Sequence, residues 1–263
     1  VTHHGRDYAR AKWNWFGRTT LKIGEQAALR FADGVIAVSP SLAEELKRDF
    51  PRRADRIHYV PNGAELHADP GDAAAVLARF GLTAKDYVLG VGRLVPEKRF
   101  DNLVEAFERA SPTAKLVIAG NADHADDYVR ALMARGSDRV IFTGSLDRKT
   151  LEALYRNASL FVLPSSHEGL PIVVLEALGA GAPVLLSDIS ANKDIGLPAK
   201  HYFPCQDIDA LAAALKIPHE HYKADRDAVL ARFDWDAVAA QTLAVYERVI
   251  RDGAAAQPSR ALA

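Results

Sequence analysis

The sequence predicts an α/β fold built on a doubly wound parallel sheet, and three observations point to it. From Asp86 onward, apolar runs alternate with amphipathic segments: Tyr87 to Val91, Leu116 to Ala119, Val140 to Thr143, Leu160 to Leu163, Val184 to Leu186 and His201 to Phe203. Such alternation implies parallel strands with helices on both faces of the sheet. Most of the runs are apolar without a break, as strands covered on both sides must be. The chemically informative motifs fall at the carboxyl ends of these runs, the side on which an open α/β sheet holds its ligands.

Composition bounds the rest. About half of the 263 residues are apolar, enough for one sizeable core and part of another. The 33 basic and 34 acidic side chains leave a formal charge of -1, which argues against a general nucleic-acid binder. A single cysteine, Cys205, excludes an internal disulfide and reads as a small hydrophobe after a strand. No run approaches the ~18 apolar residues of a membrane span, and nothing resembles a signal peptide. A soluble, cytoplasmic protein is expected.

Taken in order, the opening stretch to about Arg30 carries Arg6, Arg10, Lys12, Arg18, Lys22 and Arg30 against Asp7 and Glu25, with Trp13, Trp15 and Phe16 among them. A loop and helix that pack these aromatics inward is the expectation. The competing reading is contact with an anionic membrane surface or a lipid-linked acceptor. Val35 to Val38 is a short strand, and Ser39 with Pro40 is a helix start. A further strand from Ile57 ends in the turn Pro61-Asn62-Gly63.

GVGRLVPEK, Gly90 to Lys98, is not a dinucleotide fingerprint, because Val95 stands where the third glycine is needed. Instead Arg93 and Lys98 flank a proline-containing loop that enters the helix FDNLVEAFERA. Two cations near a helix N-terminus suit a diphosphate. The next two strands end in Ala119-Gly120-Asn121 and Phe142-Thr143-Gly144, where glycine lets a flat ring approach the backbone. His124 with Asp123, Asp126 and Asp127 reads as a polar helix start, since no ligand set is completed. His219-Glu220-His221 lacks the helical spacing of a metal motif. Two amphipathic helices follow, DIDALAAAL and Trp235 to Arg251, the second capped by Asp234, and the tail after them is small and polar.

The most informative stretch is HEGLPIVVLEALGAGAPVLLSD, His167 to Asp188, read as loop, short helix and strand after the run that ends at Leu163. Pro171 suits the first helical turn and the cluster from Gly179 to Gly181 suits the stop. Glu168 lies before the helix, and Glu176 lies five residues beyond Pro171, about 7 Å along the axis. The unpaired N–H groups near Gly169 and Leu170 form an anion site between them. A phosphate there, with hydroxylated groups on either side for the carboxylates to accept from, describes a nucleotide sugar.

The pattern Glu168-GLPIVVL-Glu176 within LFVLPSSHEGLPIVVLEALGAGAPVLLSDI resembles the retaining glycosyltransferases of GT-B fold, in particular the large bacterial family four, glycosyl transferases group 1. The resemblance implies two Rossmann-like domains. Residues 1–66 would be the end of an N-terminal acceptor domain and its linker, most of that domain being absent. Residues 67–234 would be a C-terminal nucleotide-sugar domain, and 235–263 a helix crossing back over the junction and a mobile tail. It assigns Arg93 and Lys98, beside Gly92, to the leaving diphosphate, Glu168 to donor-sugar hydroxyls and Glu176 to the ribose. Gly144, Gly169 and Leu170 complete the donor site. In THHGRD it matches His4, after a strand, to a histidine facing the donor sugar; His3 competes, since alternation sends the two to opposite faces. No cofactor and no metal is implied. The partners implied are a nucleotide-sugar donor and a saccharide or lipid-linked acceptor, with peripheral membrane contact and no nucleic acid, in surface polysaccharide or glycolipid synthesis. At Asp194 the sequence departs from the family, which commonly has Glu there. A donor-binding fragment without transfer, a nucleotide-sugar epimerase and a glycoside hydrolase using the two glutamates are the rival readings.

Overall fold

The computed structural model describes residues 1–6, 8, 14–64, 71–122, 124 and 126–256. Asp7, Arg10, Lys12, Trp13, Asp123, residues 65–70 and the tail 257–263 therefore lie outside the described residues. The chain forms two compact units, Val1–Gly63 with Ala231–Ala263, and Ala64–Leu230.

The first unit opens with β1 (Thr2–His3), α1 (Trp15–Phe31), β2 (Val35–Ala37), α2 (Pro40–Asp49) and β3 (Ile57–Tyr59). The three strands form a parallel sheet in the order β1-β2-β3. Ser39 caps α2 as expected, its side chain accepting the Leu42 N–H at 3.3 Å with Pro40 in the first turn. The aromatics of α1 depart from expectation. Trp15 and Phe16 are 76% and 67% exposed instead of packed inward. The spacing explains it: Leu21, Glu25, Ala28 and Leu29 share the inward face, and Trp15 and Phe16 fall outside that stripe.

The second unit begins with α3 (Ala73–Arg79), β4 (Tyr87–Val91), α4 (Phe100–Ala110), β5 (Lys115–Ala119), α5 (Asp127–Met133), β6 (Val140–Gly144) and α6 (Arg148–Asn157). It continues with β7 (Leu160–Leu163), α7 (Ile172–Gly179), β8 (Val184–Ser187), α8 (Ser190–Lys193), β9 (Tyr202–Phe203), α9 (Ile208–Ala214) and α10 (Arg226–Leu230). The six strands are all parallel, in the order β6-β5-β4-β7-β8-β9. Strands β4, β7 and β8 are buried at every position, which is why the sequence shows them as unbroken apolar runs. On α4, Phe100, Leu103, Val104 and Phe107 make a buried face at helical spacing against this sheet. Each such side chain contributes about 1.5–3 kcal/mol on burial.

His201 is the exception among the strand assignments. It lies not in β9 but in the one-turn helix Ala199–His201, fully buried, with Nδ1 2.9 Å from the Val184 carbonyl oxygen. The strand ladder begins one residue later. Asp126 caps α5 by accepting the Val129 N–H at 2.9 Å, in keeping with a polar helix start. The last helix, α11 (Trp235–Ala256), belongs to the first unit and outlasts its expected end at Arg251. Asp234 caps it, accepting the N–H groups of Asp236 and Ala237 at 3.0 and 3.1 Å, and its Val238 and Val245 pack with Ile36 and Val60.

Candidate functional site

Strand order decides where the site lies. The chain runs outward from β4 through β5 to β6, then returns to place β7 on the other side of β4. Order reverses between β4 and β7, and the loops after these two strands open on one crevice. They are tied together there: the Ser166 N–H donates to the Glu97 carbonyl at 2.8 Å, and Lys98 Nζ donates to Glu168 Oε1 at 2.6 Å. Lys98 and Glu168 are 15% and 11% exposed, so this charge-assisted bond is largely shielded from water. From behind, the Ser187 hydroxyl donates to the Ser165 carbonyl at 2.5 Å and the Asn192 amide donates to the Ser187 carbonyl at 2.8 Å, all within the buried core. The loop that carries Glu168 is thus held on two sides.

Beneath β4, β5 and β6 the three strand-end glycines meet. The Gly92 N–H donates to the Ala119 carbonyl and the Gly120 N–H to the Gly144 carbonyl, each at 3.0 Å. Gly120 has φ +144°, and a Cβ there would lie 1.9 Å from the Gly92 carbonyl oxygen, so only glycine fits. A cleft of about 380 Å³ opens over this floor, lined by Gly92, Gly120, Asn121, Ser145 and Leu146 with the exposed Arg93 at its edge. That volume falls in the range of small-molecule sites.

On the far side of the crevice Gly169 and Leu170 are half-buried and lead into α7. Pro171 is its cap, one position ahead of the first helical turn expected for it. Gly181, at φ +77°, makes the turn out of the helix. Glu176, half-buried on α7, accepts from the Tyr155 hydroxyl at 3.1 Å. Burial drives the Tyr155 phenol well above its ordinary pKa, and the Glu176 charge adds to the effect.

Of the residues picked out from the sequence, Gly92, Arg93, Lys98, Gly144, Glu168, Gly169, Leu170 and Glu176 all lie in the second unit. His4 lies in the first, exposed just after β1. Its neighbour His3 is engaged: the Gly5 N–H donates to His3 Nδ1 at 3.3 Å, which puts the ring proton on Nε2, 2.8 Å from Glu25 Oε2. Glu25 also receives the Tyr8 hydroxyl at 3.1 Å. Burial alone would raise the Glu25 carboxyl, but His3, Arg6 and Tyr8 together hold it below its ordinary value. Arg99, next to Lys98, is half-buried at φ +52°, turning the chain from the turn Pro96–Lys98 into α4, and its Nε is out of water without a hydrogen bond among the described residues.

Sequence reasoning missed Tyr155, a buried aromatic on an amphipathic helix that carries no signal apart from core packing. It also gave Gly120 no place among the site residues, although the residue was noted. Cys205 is half-buried and its thiol is raised, by burial first and then by the Asp188 charge, as suits a packing residue. Among the described residues no three His, Cys, Asp or Glu side chains come together to hold a metal ion, and no helix is long and apolar enough to cross a membrane.

A six-stranded parallel sheet whose strand order reverses between β4 and β7, with a crevice at their carboxyl ends, defines a Rossmann-like α/β protein. Residues 79–226 match the family described as Glycosyl transferases group 1, and residues 1–68 match Glycosyltransferase Family 4. The chain belongs to the glycosyl transferases group 1 family, and its fold is of the GT-B type. It is 30% identical over 250 residues to D-inositol 3-phosphate glycosyltransferase of Xylanimonas cellulosilytica, covering 87% of this chain and 60% of that protein. It is 28% identical over 253 residues to alpha-maltose-1-phosphate synthase of Mycolicibacterium smegmatis, covering 86% and 65%. The chain thus spans less than two thirds of the length of these curated relatives. Among solved structures, sucrose-phosphate synthase from Thermosynechococcus elongatus superposes with a TM-score of 0.76 at 27% identity, over 95% of this chain and 67% of that one. HepE of Anabaena, solved in complex with UDP and glucose, superposes with a TM-score of 0.79 at 20% identity, over 95% and 71%.

Proposed function

We propose that the protein transfers a sugar from a nucleoside-diphosphate sugar to a saccharide or lipid-linked acceptor with retention, in bacterial surface polysaccharide or glycolipid synthesis. The observation that carries the reading is the Lys98–Glu168 contact at the reversal of strand order, with Arg93 on one side and Glu176 along α7 on the other. Arg93, Lys98 and the N–H groups at Gly169 and Leu170 neutralise the diphosphate as the anomeric bond breaks. Glu168 accepts from the donor-sugar hydroxyls and Glu176 from the ribose hydroxyls. In the retaining step the acceptor oxygen attacks the anomeric carbon on the face from which the diphosphate leaves. The bond to the diphosphate oxygen breaks, and that oxygen takes the acceptor's proton. His4 keeps the role the family resemblance gives it, toward the sugar being transferred. UDP-glucose-type donors are the first choice of probe, because HepE was solved with UDP and glucose.

Calorimetric titration with UDP, GDP, ADP and dTDP, with and without EDTA, tests the donor site. Micromolar binding of one nucleotide that survives EDTA and weakens at least tenfold in Glu176→Ala is expected, since two cations replace the metal. Binding that EDTA abolishes would overturn the metal-free reading, and no binding at all would overturn the donor site.

A second reading, donor binding without transfer, is favoured by one observation: every candidate donor-binding residue lies in the second unit alone. Turnover of the bound sugar nucleotide separates the two. The lipid-linked form of the acceptor is favoured by α1, where Trp15 and Phe16 stand exposed beside Arg18 and Lys22. Cosedimentation with anionic but not neutral vesicles is expected, and equal behaviour with both would remove that support.

A further inference from the structure

Tyr155 does more than fill the core. It sits on α6, 2% exposed, with its ring against Phe161 of β7 at 5.6 Å between centroids. The helix that carries it is pinned from below: the buried Tyr87 of β4 donates its hydroxyl to the Leu154 carbonyl at 2.6 Å, and the Lys85 N–H donates to the Asn157 carbonyl at 2.7 Å. The Tyr155 hydroxyl therefore has little freedom, and it is aimed at Glu176 Oε2, 3.1 Å away. Among the described residues no other hydrogen bond reaches the Glu176 carboxylate, so Oε1 is left to accept from a ligand.

We infer that Tyr155 is a positioning residue for nucleotide recognition, its buried hydroxyl fixing the Glu176 carboxylate in the orientation that accepts from the ribose hydroxyls of a nucleoside diphosphate. The inference rests on the donor reading proposed above. A glutamate on a helix face has three torsions to settle, and a carboxylate that is held in place before the ligand arrives loses less freedom on binding. A phenol suits the task. It donates to one oxygen without neutralising the charge, and burial keeps it protonated at any working pH. The plainer account is that a buried hydroxyl needs an acceptor and Glu176 is the nearest. That account gives Tyr155 no bearing on which part of a nucleotide is recognised, so the two separate by experiment.

The 263-residue chain is titrated calorimetrically as wild type, Tyr155→Phe and Glu176→Gln. The ligands are whichever of UDP, GDP, ADP and dTDP binds, and the analogue of that nucleotide lacking its ribose hydroxyls. Phenylalanine keeps the ring on Phe161, and an unchanged circular-dichroism spectrum and thermal midpoint within a few degrees confirm that the fold is retained. Tyr155→Phe is expected to weaken the nucleotide about three- to tenfold and leave the analogue unchanged, in step with a larger selective loss in Glu176→Gln. An equal loss for both ligands, or no loss for either, would overturn the positioning role while the donor site stands. A wild-type chain that binds none of the nucleotides overturns both.

Discussion

Glu168, in its loop, and Glu176, on the helix that follows, are eight residues apart, yet the two carboxylates are held in opposite ways. Glu168 is held by a cation, Lys98, at the tip of a long flexible side chain from the loop after β4. Glu176 is held by a neutral hydroxyl fixed inside the core. On the function proposed above, the first partnership is one that a phosphate can exchange, by taking Lys98 and leaving Glu168 to a sugar hydroxyl. The second offers no such exchange, because the Tyr155 hydroxyl is fixed in the core. On that function one end of the segment serves the reacting part of the ligand and the other the part that does not react. In the Lys98–Glu168 pair each charge, largely shielded from water, has the other as its counter-ion.

The largest effect is expected where the exchangeable partnership is broken. Lys98→Ala removes the cation that the proposed function assigns to the leaving diphosphate and strands Glu168 without its counter-ion. Turnover of the sugar nucleotide identified by titration should fall about 10²- to 10³-fold, with a smaller loss of nucleotide affinity. Glu168→Gln in the Lys98→Ala background should restore part of the affinity loss, because the stranded charge is gone. Strict additivity of the two substitutions would mean that the contact has no part in binding, and the contrast between the two ends would collapse.

How much of this could be read from the sequence follows from the physics of each part. Strands β4, β7 and β8 were legible to within a residue, because burial on both faces leaves short unbroken apolar runs. The caps at Ser39 and Asp234 and the polar start of α5 were legible because capping is a local interaction. Contacts distant along the chain were not. Lys98 and Glu168 are 70 residues apart and meet only because the strand order reverses, so resemblance assigned each a role without revealing the pair. Tyr155 and Glu176 sit on different helices, related by no spacing rule. His3 and His4 stayed open under strand alternation, and it took the position of Glu25 to show which imidazole is engaged. His201 was misplaced at the edge of a strand because a one-turn helix, Ala199–His201, ends on it, and the apolar run that follows carries no sign of that turn.

The smallest effect separates both carboxylates from the scaffold that holds them. Burial lowers the His201 imidazole below its ordinary pKa, against the opposing pull of the Val184 carbonyl; burial does the same for His219, and for His58 burial is reinforced by Arg248 and Lys47. A base whose folded pKa is depressed binds its proton more readily in the unfolded chain. The stability it contributes is complete above the unfolded value near 6.5 and drains away as pH falls through the lowered folded value. The urea midpoint is therefore expected to be level from pH 8 to about 7 and to decline towards pH 5, with His201→Asn removing part of the decline. A level midpoint down to pH 5 would mean that His201 accepts a proton in the folded state without cost. None of the three imidazoles contacts Glu168 or Glu176, so losses of nucleotide affinity in this window should fall equally on Lys98→Ala and Tyr155→Phe. Unequal losses would show that one end of the segment titrates on its own account, and would identify which.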